Sequence, residues 1–242
     1  RVVFRSMVIR MGRADVAIFG GVDFCLVEPI LAGFATMNGA MKNKAGEPLE
    51  PERACRPFAL DRKGFIVSEG AGSIIIAARE FAKAHGLKHS MELAGWSMTS
   101  DANHFVAPNY DTVKRCAIES IERAGIAPSD IAAVNAHATS TKVGDKIESD
   151  VLKDVFGDRV PPVTANKSFM GHAMGASSAI ESIYSMEGMR RGALLPTINY
   201  TPDPEIDLPV ATELMKLDQE FVLKNSFGFG GCNSCIVFRK TG

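Results

Sequence analysis

The sequence predicts an α/β protein built on a mostly parallel sheet with helices covering its faces. Three observations lead there. From about Ser90 onward, apolar and β-branched runs alternate with helical repeats in the order β-α-β-α-β-α-β-β, the alternation that crossover helices produce. Of the 242 residues, 46% are hydrophobic and 23% charged, enough apolar material for one large core or two small ones. The residues that carry chemistry fall where predicted strands give way to loops, the usual place for function in such sheets.

The elements follow in order. The start, "RVVFRSMVIRM", is basic and partly apolar. It lacks a continuous apolar stretch and a cleavage site, so it reads as an amphipathic helix and not a targeting peptide. "DVAIFGG" (15–21) and "GSIIIAARE" (72–80) read as buried strands. The polar stretch 38–64 between them, rich in Lys, Glu, Pro and Arg, reads as a surface loop. "DTVKRCAIESIERAGI" carries Val113, Ala117, Ile118, Ile121 and Ala124 at helical spacing and stops at Gly125. "IAAVNAHATS" is a strand that turns polar. "GDKIESDVLKDVFG" is a helix with an apolar stripe of Ile147, Val151, Leu152 and Val155. "VPPVTANKS" is a short strand, and "MGHAMGASSAIESIYSMEGMRRG" opens on small residues and continues as a mostly buried helix. "FVLKNSFGFGGCNSCIVFRK" holds two strands around a glycine-rich turn.

Composition excludes several function classes. The formal net charge of −1 gives a nucleic-acid partner no electrostatic support. No apolar run reaches the roughly 18–20 residues a bilayer span needs. The five cysteines, Cys25, Cys55, Cys116, Cys232 and Cys235, are odd in number and irregularly spaced, which argues against a disulfide framework. "CNSC" has the spacing of a redox pair or half a zinc site. It has no second pair and runs into the apolar "CIVF", so it reads as two ordinary thiols at a strand start. A reducing, cytoplasmic compartment fits.

Two histidines and a lysine carry the chemistry. His137 sits in "NAHATST" between small alanines, followed by Thr139, Ser140 and Thr141, whose hydroxyls suit a polar ligand tail or a helix cap. Asp145 is an equally good cap. His172 follows Gly171 at the opening of a helix, where the dipole and the nearby Lys167 both disfavour a charged ring. Two neutral histidines aimed at one oxygen stabilise an oxyanion, as when a thioester carbonyl becomes an enolate. Taken singly, each residue also has a plain structural explanation: a backbone-satisfied histidine or a solvated amine. A zinc site on His137 and His172 lacks the short-spaced ligand pairs zinc prefers. "GFGG" lacks phosphate-loop spacing. Phe227 and Phe229 on flexible glycines read as a mobile apolar flap.

"NAHATST", "NKSFMGH" and "NSFGFGG", in this order, resemble the β-ketoacyl-acyl carrier protein synthases of the thiolase superfamily, in their elongating, Cys-His-His branch. "RPFALDRKGFIVSEGAG", "ADVAIFGG" and "GHAMGASSAIES" extend the likeness along the whole chain. The resemblance implies a layered α-β-α-β-α fold, here incomplete, with residues 1–88 the later part of a first half and 89–242 a second half. It implies that His137 and His172 are the active-site histidines and Lys167 the lysine beside them. Thr139 and Thr141 would bond the phosphopantetheine arm, which arrives on the acyl carrier protein, so no separate cofactor is expected. Phe229 would be a gate with Phe227 behind it, and Glu181 a buried glutamate supporting the site. The implied reaction is decarboxylative Claisen condensation of an acyl-enzyme with malonyl carrier protein. The implied partners are the acyl carrier protein and a second subunit, as a homodimer or a heterodimer of ketosynthase and chain-length factor.

The sequence departs from the family in two places. The family's nucleophilic cysteine belongs upstream of "GRADVAIFGG", and none of the five cysteines fits its motif. The chain is therefore expected to be a fragment, or one piece whose N-terminal part is a separate chain. Ala138 also stands where the family usually has glycine. Two further readings remain: a non-catalytic chain-length subunit, which needs neither a second histidine nor a lysine, and a thiolase-like acyltransferase acting on coenzyme A esters.

Overall fold

The structure, a computed structural model, describes residues 2–37, 39–43, 46 and 50–241. Arg1 of the expected first helix, and residues 38, 44, 45 and 47–49 of the expected loop, lie outside the described residues.

Two sheets are stacked with helices between them. The smaller pairs β1 (Val16–Asp23) with β2 (Gly70–Ala77), antiparallel, with Phe19 opposite Ile74. The larger holds β3 (Met91–Ser100), β4 (Ile131–Asn135), β5 (Val163–Thr164), β8 (Phe221–Gly228) and β9 (Cys232–Lys240), in the order β3-β9-β8-β4-β5. Two short strands, β6 (Ala193–Leu194) and β7 (Met215–Lys216), pair apart from both. The helices are α1 (Val2–Arg10), α2 (Glu28–Thr36), α3 (Arg79–Ala84), α4 (Tyr110–Ala124), α5 (Lys142–Phe156), α6 (Lys167–Met170) and α7 (Met174–Arg191).

The large sheet is mixed and not mostly parallel. β8–β4 and β4–β5 are parallel, while β3–β9 and β9–β8 are antiparallel. The cause is the glycine-rich turn after Gly228, which folds β9 straight back on β8 and reverses it against its neighbours. Helix α4 lies against β3 and β9 and also touches α5. Helix α7 packs on β1 and β2 and also reaches β8, β9 and β6, so it lies between the two sheets. That gives the layered arrangement that the sequence resemblance implies.

Local chemistry accounts for the helix ends. Asn109 caps α4 by accepting the Thr112 N–H at 3.2 Å, and Gly125 closes it in the left-handed conformation. In α5, Val151 and Leu152 are fully buried, as the stripe predicts. Helix α7 comes so close to β1 that a side chain on Gly21 would stand 2.2 Å from the Gly175 carbonyl oxygen.

Two expectations fail. The strands β1 and β2 are not buried on both faces: Ile18 is 67% and Val22 71% exposed, while Phe19 between them is buried. Only one face has α7 to cover it. The segment expected as surface loop is not all surface either. Phe58 and Ala59 are fully buried and Arg62 nearly so. The Phe58 N–H bonds Asp145 at 2.8 Å. Arg62 pairs with Asp203 at 2.5 Å and donates to the carbonyls of Thr141 and Lys142, pinning the start of α5.

Candidate active site

The site gathers at the ends of β4, β5 and β8. His137 comes two residues after β4, Lys167 three residues after β5 as the first residue of α6, and His172 in the bend between α6 and α7. The backbone of His172 is clamped by a neighbouring segment. Its N–H bonds the Ile66 carbonyl at 2.7 Å, and its carbonyl accepts from the Ser68 N–H at 3.0 Å. Gly171 makes that bend possible: its φ is +68°, and a Cβ there would lie 2.9 Å from the Ser68 side chain.

The two histidine rings adjoin edge to face, 5.7 Å between centroids. Lys167 lies beside them, fully buried. Its ammonium donates to the His137 carbonyl at 2.6 Å, stands 3.5 Å from His137 Nδ1, and bonds Glu181 Oε1. With the lysine facing Nδ1, the proton of a neutral His137 ring belongs on Nε2. His172 Nδ1 meets the Ser177 hydroxyl at 2.9 Å.

Both rings are held well below the ordinary histidine range. Burial is the main cause for each, followed by the Lys167 charge, with Lys224 adding to it. The direction is the one expected from sequence, but burial leads, where the helix dipole and Lys167 had been expected to. A neutral ring keeps one N–H to donate and adds no charge to a dry site.

The carboxylate of Glu148, on α5, organises the turn after β4. It accepts the N–H groups of His137 at 2.8 Å and Ala138 at 2.7 Å, and the Asn225 amide at 3.0 Å. Burial raises its pKa, opposed by those hydrogen bonds. Ala138 sits at φ +21°, in a region that favours glycine. Thr139 and Thr141 are partly buried with their hydroxyls 3.1 Å apart. The Thr141 hydroxyl makes no cap bond to α5; it pairs with that of Thr139, and Asp145 Oδ1 accepts the Thr141 N–H at 3.1 Å. Burial pushes Asp145 up to about 7.

The aromatic residues form a chain from the histidines outward. Phe227 lies against His137 at 5.3 Å, and Phe65 against His172 at 5.8 Å. Phe229 is farther out, 6.1 Å from Phe65 and 5.8 Å from the exposed Phe105. All five cysteines are free thiols. Burial pushes Cys55 up to about 12 and raises Cys25 and Cys235, so these three stay un-ionised. Among the described residues, no group of three or more His, Cys, Asp or Glu side chains is placed to hold a metal ion, and no helix is long and apolar enough to cross a membrane.

Sequence reasoning missed Glu148, Lys224 and Phe65. Glu148 looked like part of the polar flank of an amphipathic helix. Lys224 carried a usable signal: a lysine in the middle of a central strand buried on both faces has to find a counter-charge.

Residues 3–82 match the family model "Beta-ketoacyl synthase, N-terminal domain", and residues 90–201 match "Beta-ketoacyl synthase, C-terminal domain". The chain belongs to the β-ketoacyl synthase family. It is 42% identical, over 95% of its length, to 3-oxoacyl-[acyl-carrier-protein] synthase 2 of Mycobacterium tuberculosis. It covers 55% of that relative, so the chain spans about half the length of the curated relatives it matches. A β-ketoacyl synthase from Burkholderia phymatum superposes with a TM-score of 0.92 at 35% identity, over 100% of this chain and 58% of that one. A type II polyketide ketosynthase, solved with its acyl carrier protein, superposes with a TM-score of 0.91 at 33% identity, over 98% of this chain and 59% of that one.

Proposed function

We propose that this protein elongates acyl chains by decarboxylative Claisen condensation, with His137 and His172 as the pair that holds the reacting thioester oxygen. The carrying observation is the adjoining pair of imidazoles, 5.7 Å between ring centroids, beside a fully buried lysine. In this reading an acyl group waits as a thioester on a cysteine supplied from outside these 242 residues. Malonyl carrier protein enters, and its thioester oxygen takes hydrogen bonds from the two rings as the carboxylate leaves as carbon dioxide. The enolate carbon then attacks the acyl carbonyl and expels the cysteine thiolate, giving a 3-ketoacyl product two carbons longer. The rings matter most at the enolate, where negative charge on the oxygen is greatest.

The hydroxyls of Thr139 and Thr141 receive the phosphopantetheine arm that the substrate brings on its carrier protein. Phe229, with Phe227 behind it, covers the mouth of the site. Residues 1–88 and 89–242 belong to the two thiolase-like halves. Five free thiols fit a reducing cytoplasm. The similar ketosynthase solved with a carrier protein supports such a partner here, and a homodimer or a heterodimer with a chain-length factor fits the family. A non-catalytic chain-length subunit would have no use for two buried lysines around one glutamate, an arrangement expensive to desolvate.

Carbon dioxide release from malonyl carrier protein is the test. His137→Ala and His172→Ala should each lower it by about 100-fold or more. A rate that survives both substitutions overturns the assignment.

A further inference from the structure

Lys224 stands one residue before "NSFGFGG", and it is among the largest fully buried side chains in the described structure. It lies on β8, a central strand of the large sheet. Its ammonium stands 2.8 Å from Glu181 Oε2, donates to the Asn225 carbonyl at 2.9 Å, and bonds the Ser226 hydroxyl. The last two accept hydrogen bonds from it, while Glu181 Oε2 stands close as an ion-pair partner and accepts no hydrogen bond among the described residues. Glu181 in turn gives its other oxygen, Oε1, to Lys167. One carboxylate from α7 thus bridges two ammonium groups, one from α6 and one from β8. The Ser226 hydroxyl also lies 3.0 Å from that of Ser178 on α7, a second tie between the same two elements.

We propose that Lys224 is a positioning residue of this site: by holding the far oxygen of Glu181, it fixes Lys167 against His137 and supplies a second buried positive charge that keeps both histidines neutral.

The geometry explains why one lysine is not enough. A carboxylate paired only with Lys167 could rotate about its Cγ–Cδ bond. The second ammonium attracts Oε2 as an ion pair, which favours the orientation that turns Oε1 toward Lys167, and Lys167 in turn holds the His137 carbonyl. The charges around the two rings come from every element packed there: Lys167 from α6, Lys224 from β8, Glu181 from α7 and Glu148 from α5. With both carboxylates ionised, the four sum to zero. Without Lys224 the cluster is net negative, and a proton on either imidazole becomes easier to accept. The lowering of both rings by Lys224 agrees in direction. Burial lowers Lys224 itself, and Glu181 opposes that.

This inference rests on the condensing-enzyme reading for its purpose, but its test does not depend on turnover. The intact protein and its Lys224→Met and Lys224→Arg variants are compared by NMR titration of the histidine rings, with thermal melting to verify folding. In Lys224→Met both rings should titrate at higher pH than in the parent, and Lys224→Arg, which keeps the charge, should stay near the parent. Malonyl decarboxylation by Lys224→Met should fall at the acid end of the pH range and approach the parent at the alkaline end. A folded Lys224→Met whose histidines titrate as in the parent overturns the inference. So does a loss of activity that is uniform with pH, the mark of a merely structural role. If the titrations move as expected while the parent itself releases no carbon dioxide, the electrostatic role stands and the condensing-enzyme reading fails.

Discussion

Replacing Glu181 with glutamine tests the centre of this arrangement. Glu181 is fully buried and is the shared counter-ion of Lys167 and Lys224. Glutamine keeps the shape and removes the charge, leaving two ammonium groups facing a neutral amide. Removing one partner of a buried ion pair costs about 3–5 kcal/mol. An independent bound comes from proton loss. Stripping one lysine of its proton at pH 7, from a reference pKa near 10.4, costs about 4.6 kcal/mol at 1.36 kcal/mol per unit. The variant takes the cheaper route, so the loss should be about 3–5 kcal/mol, a fall in Tm of about 6–20 °C for a chain of this size. The sign with pH also follows. If Glu181→Gln depresses a lysine in the folded state, the unfolded chain binds the extra proton, and stability rises with pH up to the ordinary lysine range. Melting curves of both proteins from pH 6 to about pH 9.5 would measure this, with the gap between them closing as pH rises. A loss below about 1 kcal/mol with no slope would refute the reasoning, because it would mean that water and not Glu181 solvates those ammonium groups.

The depressed histidines predict that malonyl decarboxylation stays flat from about pH 8 down to about pH 6, since neither ring gains a proton near the ordinary value of about 6.5; an inflection at that value would contradict the burial described for them. The same depression makes the fold acid-sensitive, because unfolded histidines bind protons below about 6.5 that the folded ones refuse. Ala138→Gly should raise stability by up to about 1 kcal/mol, as relief of a left-handed alanine, worth about 1–2 kcal/mol, outweighs the entropy glycine adds to the unfolded chain; denaturant titration would measure it, and a destabilised variant would place the strain elsewhere.

How far the sequence could be read depended on how local the determining physics was. Helix α4 was legible because its apolar spacing and the Gly125 stop lie within one short stretch. His137 and Lys167 were legible because each stands just beyond a strand end, and His172 because it follows Gly171 at the opening of a helix of small residues. The reversed β9 was not, because alternation of strands and helices says nothing about which way the last strand runs. The burial of Phe58 and Arg62 was hidden for a related reason. Their partners, Asp145 and Asp203, lie 87 and 141 residues further along, in a stretch whose own composition looks solvated. Glu148 was missed because a helix pattern marks apolar faces, and a carboxylate buried to receive two backbone N–H groups looks like any other polar position. Phe229 was placed correctly at the turn, but Phe65 is what lies between it and His172.

The uncovered side of the β1–β2 ribbon has a practical consequence. Val16, Ile18, Val22 and Ile75 present aliphatic surface to water on a two-stranded sheet with both edges unpaired among the described residues. Bare strand edges beside greasy side chains are a template for lateral stacking of one molecule on the next. A preparation of these 242 residues by themselves should therefore be judged by light scattering before any enzymology. Replacing Ile18 and Val22 with lysine is the natural first remedy, because both point away from α7.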